Sequence, residues 1–138
     1  MKRQFVALSL IAASTTLFAL DCGNLGITIV NNSPHHCVLK HTVLDGGYFQ
    51  NQAPLSVPSG SSMPTFYMAQ GDNGVDVEFD YRCDGKVVVI GAHQDYCGFM
   101  AGYVVGQAYF GNDLVTEHQE TIGSYWSETP GQITWTIH

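Results

Sequence analysis

Between Val75 and Arg82 apolar and charged side chains alternate without a break, as Val-Asp-Val-Glu-Phe-Asp-Tyr-Arg. A period of two belongs to the extended chain, so this segment is predicted to be a strand with one buried and one wet face. Cys83-Asp84-Gly85-Lys86 follows. Asp-Gly tolerates the positive φ of a type I′ turn, so the run Lys86-Val87-Val88-Val89-Ile90 is expected to return antiparallel.

The same alternation marks Gln132 to His138 as a closing strand, and Gly26 to Asn31 and Cys37 to Leu44 are two more strands joined by the turn-forming Asn32-Ser33-Pro34. Asp45-Gly46-Gly47, Pro58 to Ser62 and Gly71 to Gly74 punctuate the chain between them. Short strands between regular turns predict an all-β fold, an antiparallel β-sandwich or a barrel, and the sandwich is the expectation carried forward. Only Gly111 to Ile122 could hold a helical turn, with Asn112 or Asp113 as its cap. The stretch Tyr96 to Phe110, with Gly98, Gly102 and Gly106, is too short and too interrupted for a membrane helix and predicts a buried strand pair with a glycine bend.

Residues 1–19 have the pattern of a cleavable secretory signal: Lys2 and Arg3, an apolar run from Phe5 to Phe18, then Ala19. Cleavage there leaves residues 20–138 as one domain of 138 − 19 = 119 residues, destined for the periplasm or the medium. Three basic residues, Lys40, Arg82 and Lys86, then face twelve acids, a balance of 3 − 12 = −9. Such a field repels phosphate backbones and anionic lipid surfaces, so no nucleic acid is expected as a partner.

An even number of cysteines in an exported chain favours disulfides, so Cys22, Cys37, Cys83 and Cys97 are expected to form two. Three pairings are open. Neighbour pairing, Cys22 with Cys37 and Cys83 with Cys97, closes the shortest loops, but a strict hairpin about Asp84-Gly85 would hold Cys97 far from Cys83 unless the chain turns back near Gly91.

No pattern for catalysis emerges. The motif G-x-S-x-G is absent, and Ser61 and Ser62 lie in a turn with no acid or base placed to activate them. Asp76, Glu78 and Asp80 share one strand face, but alternate strand residues lie about 7 Å apart and no calcium-loop pattern surrounds them. They are expected to form a solvated face that blunts edge pairing. His35, His36 and His41 surround a cysteine expected to be oxidised, and neighbouring strand side chains point to opposite faces, so neither metal nor cofactor is expected. Asn31-Asn32-Ser33 is a glycosylation sequon in a eukaryotic secretory path. The aromatic pairs Tyr125-Trp126 and Tyr48-Phe49 are the contact candidates, because amphipathic rings in polar loops suit sugar faces and membrane head groups. Whether Trp126 faces inward or outward is open at this level.

Three elements resemble the aegerolysin and actinoporin-like group of small secreted β-sandwiches: Ile27-Thr28-Ile29-Val30-Asn31-Asn32, Gly46-Gly47-Tyr48-Phe49 ahead of Pro54, and Leu55 to Ser62 leading to Phe66. Gly74 through Tyr81 is similar to the strand after a glycine turn in that group, and the likeness spans residues 26–95. A thaumatin-like opening matches the first two elements as well, although such chains carry many more cysteines. The resemblance implies a sandwich that recognises membrane lipids, sometimes as half of a pore-forming pair. No amphipathic actinoporin-like helix follows the leader, so pore formation by this chain alone is not implied. The sequence-based expectation is therefore an exported binding module, not an enzyme, that meets a membrane lipid or glycan surface through Tyr125, Trp126, Tyr48 and Phe49. A small inhibitor presenting the acidic loop Gly71 to Gly74 to a protein target is the alternative.

Overall fold

The computed structural model describes residues 20–98 and 102–138 as two facing sheets with no helix. The expected leader, residues 1–19, and Phe99, Met100 and Ala101 of the aromatic glycine-rich stretch lie outside the described residues. The strands, in chain order, are β1 (Asn24–Asn31), β2 (Cys37–Gly46), β3 (Tyr48–Phe49), β4 (Ser56–Val57), β5 (Ser61–Ser62), β6 (Phe66–Ala69), β7 (Val75–Cys83), β8 (Lys86–Gln94), β9 (Val104–Ala108), β10 (Thr116–Thr121) and β11 (Gly131–Ile137). One sheet runs β10-β11-β1-β6-β3, with β5 also on β1; the other runs β4-β2-β7-β8-β9. Pairing is antiparallel throughout except between β1 and β11, which lie parallel from Leu25 beside Gly131 to Asn31 beside Ile137.

Alternation builds the core. Val75, Val77, Phe79, Tyr81 and Cys83 point inward from β7 and are buried, while Asp76, Glu78, Asp80 and Arg82 point away. From the other sheet, Leu25, Ile27 and Ile29 of β1 and Ile133, Trp135 and Ile137 of β11 face them. The Trp135 indole N–H donates across the sandwich to the Gly91 carbonyl at 3.2 Å, which satisfies a donor that burial would otherwise strand. Tyr81 donates to the Pro54 carbonyl at 2.8 Å, and its burial raises the phenol well above its ordinary range. At the β7–β8 turn Asp84 and Gly85 both have positive φ, 50° and 83°, as the predicted type I′ geometry requires.

Four expectations change. The disulfides are Cys22–Cys97 and Cys37–Cys83, not neighbour pairs. The reason is the length of the hairpin: β8 runs straight through Gly91, paired with Glu78, and ends at Gln94, so Cys97 stands at the opposite end of the sandwich from Cys83. Residues 111–122 hold no helix; they lead into the edge strand β10, and Asn112 and Asp113 instead act as surrogate strand partners for β8. Asn112 exchanges hydrogen bonds with Val89, and the Asp113 carboxylate accepts from the Val87 amide at 2.6 Å. The acidic β7 face blunts no edge, since β7 lies in the middle of its sheet. The expected buried strand pair is a single edge strand, β9, of which Val104 is buried and Val105, Gln107 and Ala108 are exposed.

Asn31, the sequon asparagine, is fully buried. Its amide donates to the carbonyls of His35 (2.7 Å) and Val57 (2.9 Å), and its oxygen accepts from the Ser33 amide and hydroxyl. This side chain closes the turn between the sheets and is out of reach of glycosylation in the folded state. Asn31→Ala leaves several buried partners unsatisfied and is expected to lower stability by about 2–4 kcal/mol, at roughly 1–3 kcal/mol per orphaned group, in urea unfolding monitored by Trp fluorescence.

Candidate aromatic-rimmed binding end

Strand register sends five chain segments to one end of the sandwich. Asn24 pairs with Ala69, Tyr48 with Ala69, Thr121 with Gln132, Val75 with Gln94, and Gln94 with Val104. The segments 20–23, 46–48, 70–74 and 122–130, with residues 95–98 and 102–103 of the connection between β8 and β9, therefore converge there, and partly or fully buried polar groups stitch them together. Cys22–Cys97 ties the approach to β1 to the segment after β8. The Gln70 side chain accepts from the Cys97 amide at 2.8 Å and donates to its carbonyl at 3.0 Å, while the Gln70 amide donates to the Gly23 carbonyl at 2.8 Å. Gln94, fully buried, donates to the Cys22 carbonyl at 3.0 Å. Gly74, at φ 96°, packs so tightly under this end that a Cβ would collide with the Gln94 carbonyl.

From this base rise the rings. Residues 122–130 form a tight excursion in which Ser124 and Thr129 exchange backbone hydrogen bonds of 2.9 and 3.1 Å and Glu128 adopts φ 53°. At its tip Trp126 is 85% exposed, and the Tyr125 ring meets it edge-on with centroids 5.5 Å apart and planes at 85°. Tyr48, Tyr96 and Tyr103 stand on the neighbouring segments, each more than half exposed. The sequence left the direction of Trp126 open, and the structure turns it outward.

Phe49 does not join these rings. One residue past Tyr48 on the same strand, it must face the opposite way, and its half-buried ring packs against the core, 6.3 Å from both Phe66 and Phe79. Tyr96 and Tyr103 are the ring residues that sequence reasoning passed over. The missed signal was positional: Tyr96 follows β8 and Tyr103 precedes its partner β9, so both emerge at the end where β7 begins at Val75.

Beside Tyr125 and Trp126 lies a cleft of about 340 Å³, lined also by Asp21, Cys22, Gln70, Cys97 and Glu128. A second hollow of about 230 Å³ shares Asp21, Gly23 and Gln70 with it and extends beneath Tyr48. Asp21, Asp72, Asp95 and Glu128 lie on these segments, whereas Lys40 is in mid-β2 and Arg82 and Lys86 flank the turn at the far end. This end is thus aromatic and acidic, without a lysine or arginine among the described residues.

Other candidates disperse. His35 Nδ1 lies 3.1 Å from Asp84 at the far end, Cys37 is in a disulfide, and among the described residues no three histidine, cysteine or acidic side chains are grouped to hold an ion. Tyr109 leans over Gly91 on the outer face of β8. Partial desolvation, then its hydrogen bond to Glu78 and the charges of Glu78, Asp76 and Asp45, push its phenol up to about 12. No helix among the described residues is long and apolar enough to cross a membrane. Two disulfides and no free cysteine fit an oxidising compartment such as the periplasm or the medium.

The class so defined is a disulfide-linked β-sandwich with one ring-bearing end. No protein-family model matches the chain, and no curated protein matches its sequence significantly. Among solved structures it is similar to the crystal structure of the lipid binding protein Nakanori, with a TM-score of 0.64, 9% identity, and 84% of this chain and 71% of that one covered. It is also similar to IP-1A from Alcaligenes faecalis, with a TM-score of 0.56, 12% identity, and 86% and 94% covered. These likenesses establish the shared fold.

The two tryptophans should be separable in solution. Acrylamide is expected to quench a red-shifted component that Trp126→Phe removes, leaving the blue, protected emission of Trp135; the same substitution should shift stability by less than about 0.5 kcal/mol, as for an exposed site.

Proposed function

We propose that this chain is an exported lipid-recognition module, rather than a catalyst, that meets a membrane with the end bearing Tyr125, Trp126, Tyr48, Tyr96 and Tyr103. The observation that carries this reading is the gathering of five exposed rings, from three separate segments, at one end of the sandwich. Scattered apolar residues are ordinary on a surface, but a cluster rimmed by polar groups marks a contact site. Tyrosine and tryptophan suit the membrane boundary because each has an apolar body and a polar tip. The shared fold with a protein whose structure is titled as lipid binding supports the same reading. Membership of the aegerolysin and actinoporin-like group is part of the proposal, and so is export through the N-terminal leader.

Electrostatics narrow the target. With acids around the rings and no cation beside them, an anionic bilayer is repelled, so the surface recognised is neutral or zwitterionic and the contact is made by ring burial and head-group hydrogen bonds. Co-sedimentation of the protein with phosphatidylcholine vesicles is expected, and added phosphatidylserine should weaken it most at low salt. Trp126→Ala and Tyr125→Ala should each reduce binding by about tenfold, equivalent to about 1.4 kcal/mol. Absence of binding to vesicles of any composition, with a clear signal on a glycan array, would transfer the same rings to a sugar target.

A further inference from the structure

One side of the sandwich is open. Beyond Leu39, whose amide donates to the Leu55 carbonyl at 2.9 Å, β2 leaves the segment that carries β4, and β3 ends the facing sheet after only two residues, so the half-buried Leu39 and Phe49 are reached between them. The opening is a groove of about 380 Å³ with a floor of Leu39, Thr42, Phe49 and Ala53 and with Leu55 on its lip. Its lining is mainly apolar, and the Phe49 ring in its floor continues inward to Phe66 and Phe79. Its rim is made of the neutral amides Gln50, Asn51 and Gln52, with no charged side chain in the lining.

The groove also joins the ring-bearing end. Gln50 lines both it and the hollow beneath Tyr48, and that hollow shares Asp21, Gly23 and Gln70 with the cleft below Trp126. On β2 the groove is lined at Leu39 and Thr42, and Gly46 at the ring-bearing end lies four residues further on, about 13 Å at 3.3 Å per residue. A polar hollow beside an uncharged, mainly apolar groove matches the two halves of a single-chain amphiphile. Leu55, 58% exposed on a segment otherwise rich in amides, has no other apolar cover.

We infer that this side groove takes one acyl chain of the bound lipid, so that the protein withdraws a chain from the bilayer and does not merely rest its rings upon it. The inference rests on the lipid reading above and adds to it a second contact, made with the tail and not with the head group. Ligand sites of this volume and lining are typical for small apolar guests.

The test uses the full oxidised protein and chain-labelled NBD-lysophosphatidylcholine held below its micelle concentration. A saturable rise in NBD fluorescence at one probe per protein is expected, reduced at least tenfold by Leu55→Glu, which places a charge on the lip, and by Thr42→Phe, which fills the floor. Circular dichroism of both variants identifies any that fail to fold, and either folded one suffices. Vesicle binding without saturable probe binding, or probe binding unchanged in a folded variant, overturns the groove while leaving the lipid reading intact. A protein that binds neither vesicles nor probe removes both.

Discussion

The parallel pairing of β1 with β11 is the contact on which the sandwich depends. Parallel neighbours cannot be joined by a tight turn; here almost the whole domain serves as the connection. The pairing places Leu25, Ile27 and Ile29 beside Ile133, Trp135 and Ile137, so the most apolar inner face of one sheet is assembled from the two ends of the described domain. Trp135 then reaches across to Gly91 and fixes how the second sheet lies upon the first. The same register puts residues 20–23 next to the start of β11, and this draws the Tyr125-Trp126 excursion alongside the segment tied down by Cys22–Cys97.

That end of the molecule combines a stiff base with exposed rings. Gln70 bonds both backbone groups of Cys97, and the Gln94 side-chain NH2 donates to the Cys22 carbonyl while its buried oxygen has no partner among the described residues. A buried amide without a partner is costly, so these bonds hold the converging segments in one arrangement. Cys22–Cys97 adds a covalent tie, worth roughly 2–4 kcal/mol through restriction of the unfolded chain. Rings presented from such a base lose little conformational freedom on contact, which favours binding. Asp21, Asp72, Asp95 and Glu128, with no lysine or arginine beside them among the described residues, give this end a negative field that opposes anionic surfaces.

How far the fold could be read varied with the local signal. The β7–β8 hairpin was legible because Val75 to Arg82 alternates strictly and Asp84-Gly85 supplies its turn. β10 was misread as a possible helical turn: Thr-Glu-His-Gln-Glu-Thr has no apolar residue to mark a buried face, since it forms an edge where His118 alone packs against the core tryptophan. The disulfides were legible as a number of bonds but not as a pairing, because the choice depended on whether β8 bends at Gly91. Of the four proposed ring contacts, Tyr48, Tyr125 and Trp126 emerged together and Phe49 turned inward, as its place one residue along the strand required.

Local patterning alone established the extended architecture, the type I′ turn, the acidity and the use of all four cysteines, because each follows from neighbours a few residues apart. Only the tertiary structure decided which strands sit side by side, which cysteines meet, and that Tyr96 and Tyr103 join Trp126 at one end. Those outcomes depend on contacts between residues as far apart as Leu25 and Gly131, whose pairing is selected by burial of the whole inner face and not by any segment of the chain taken separately.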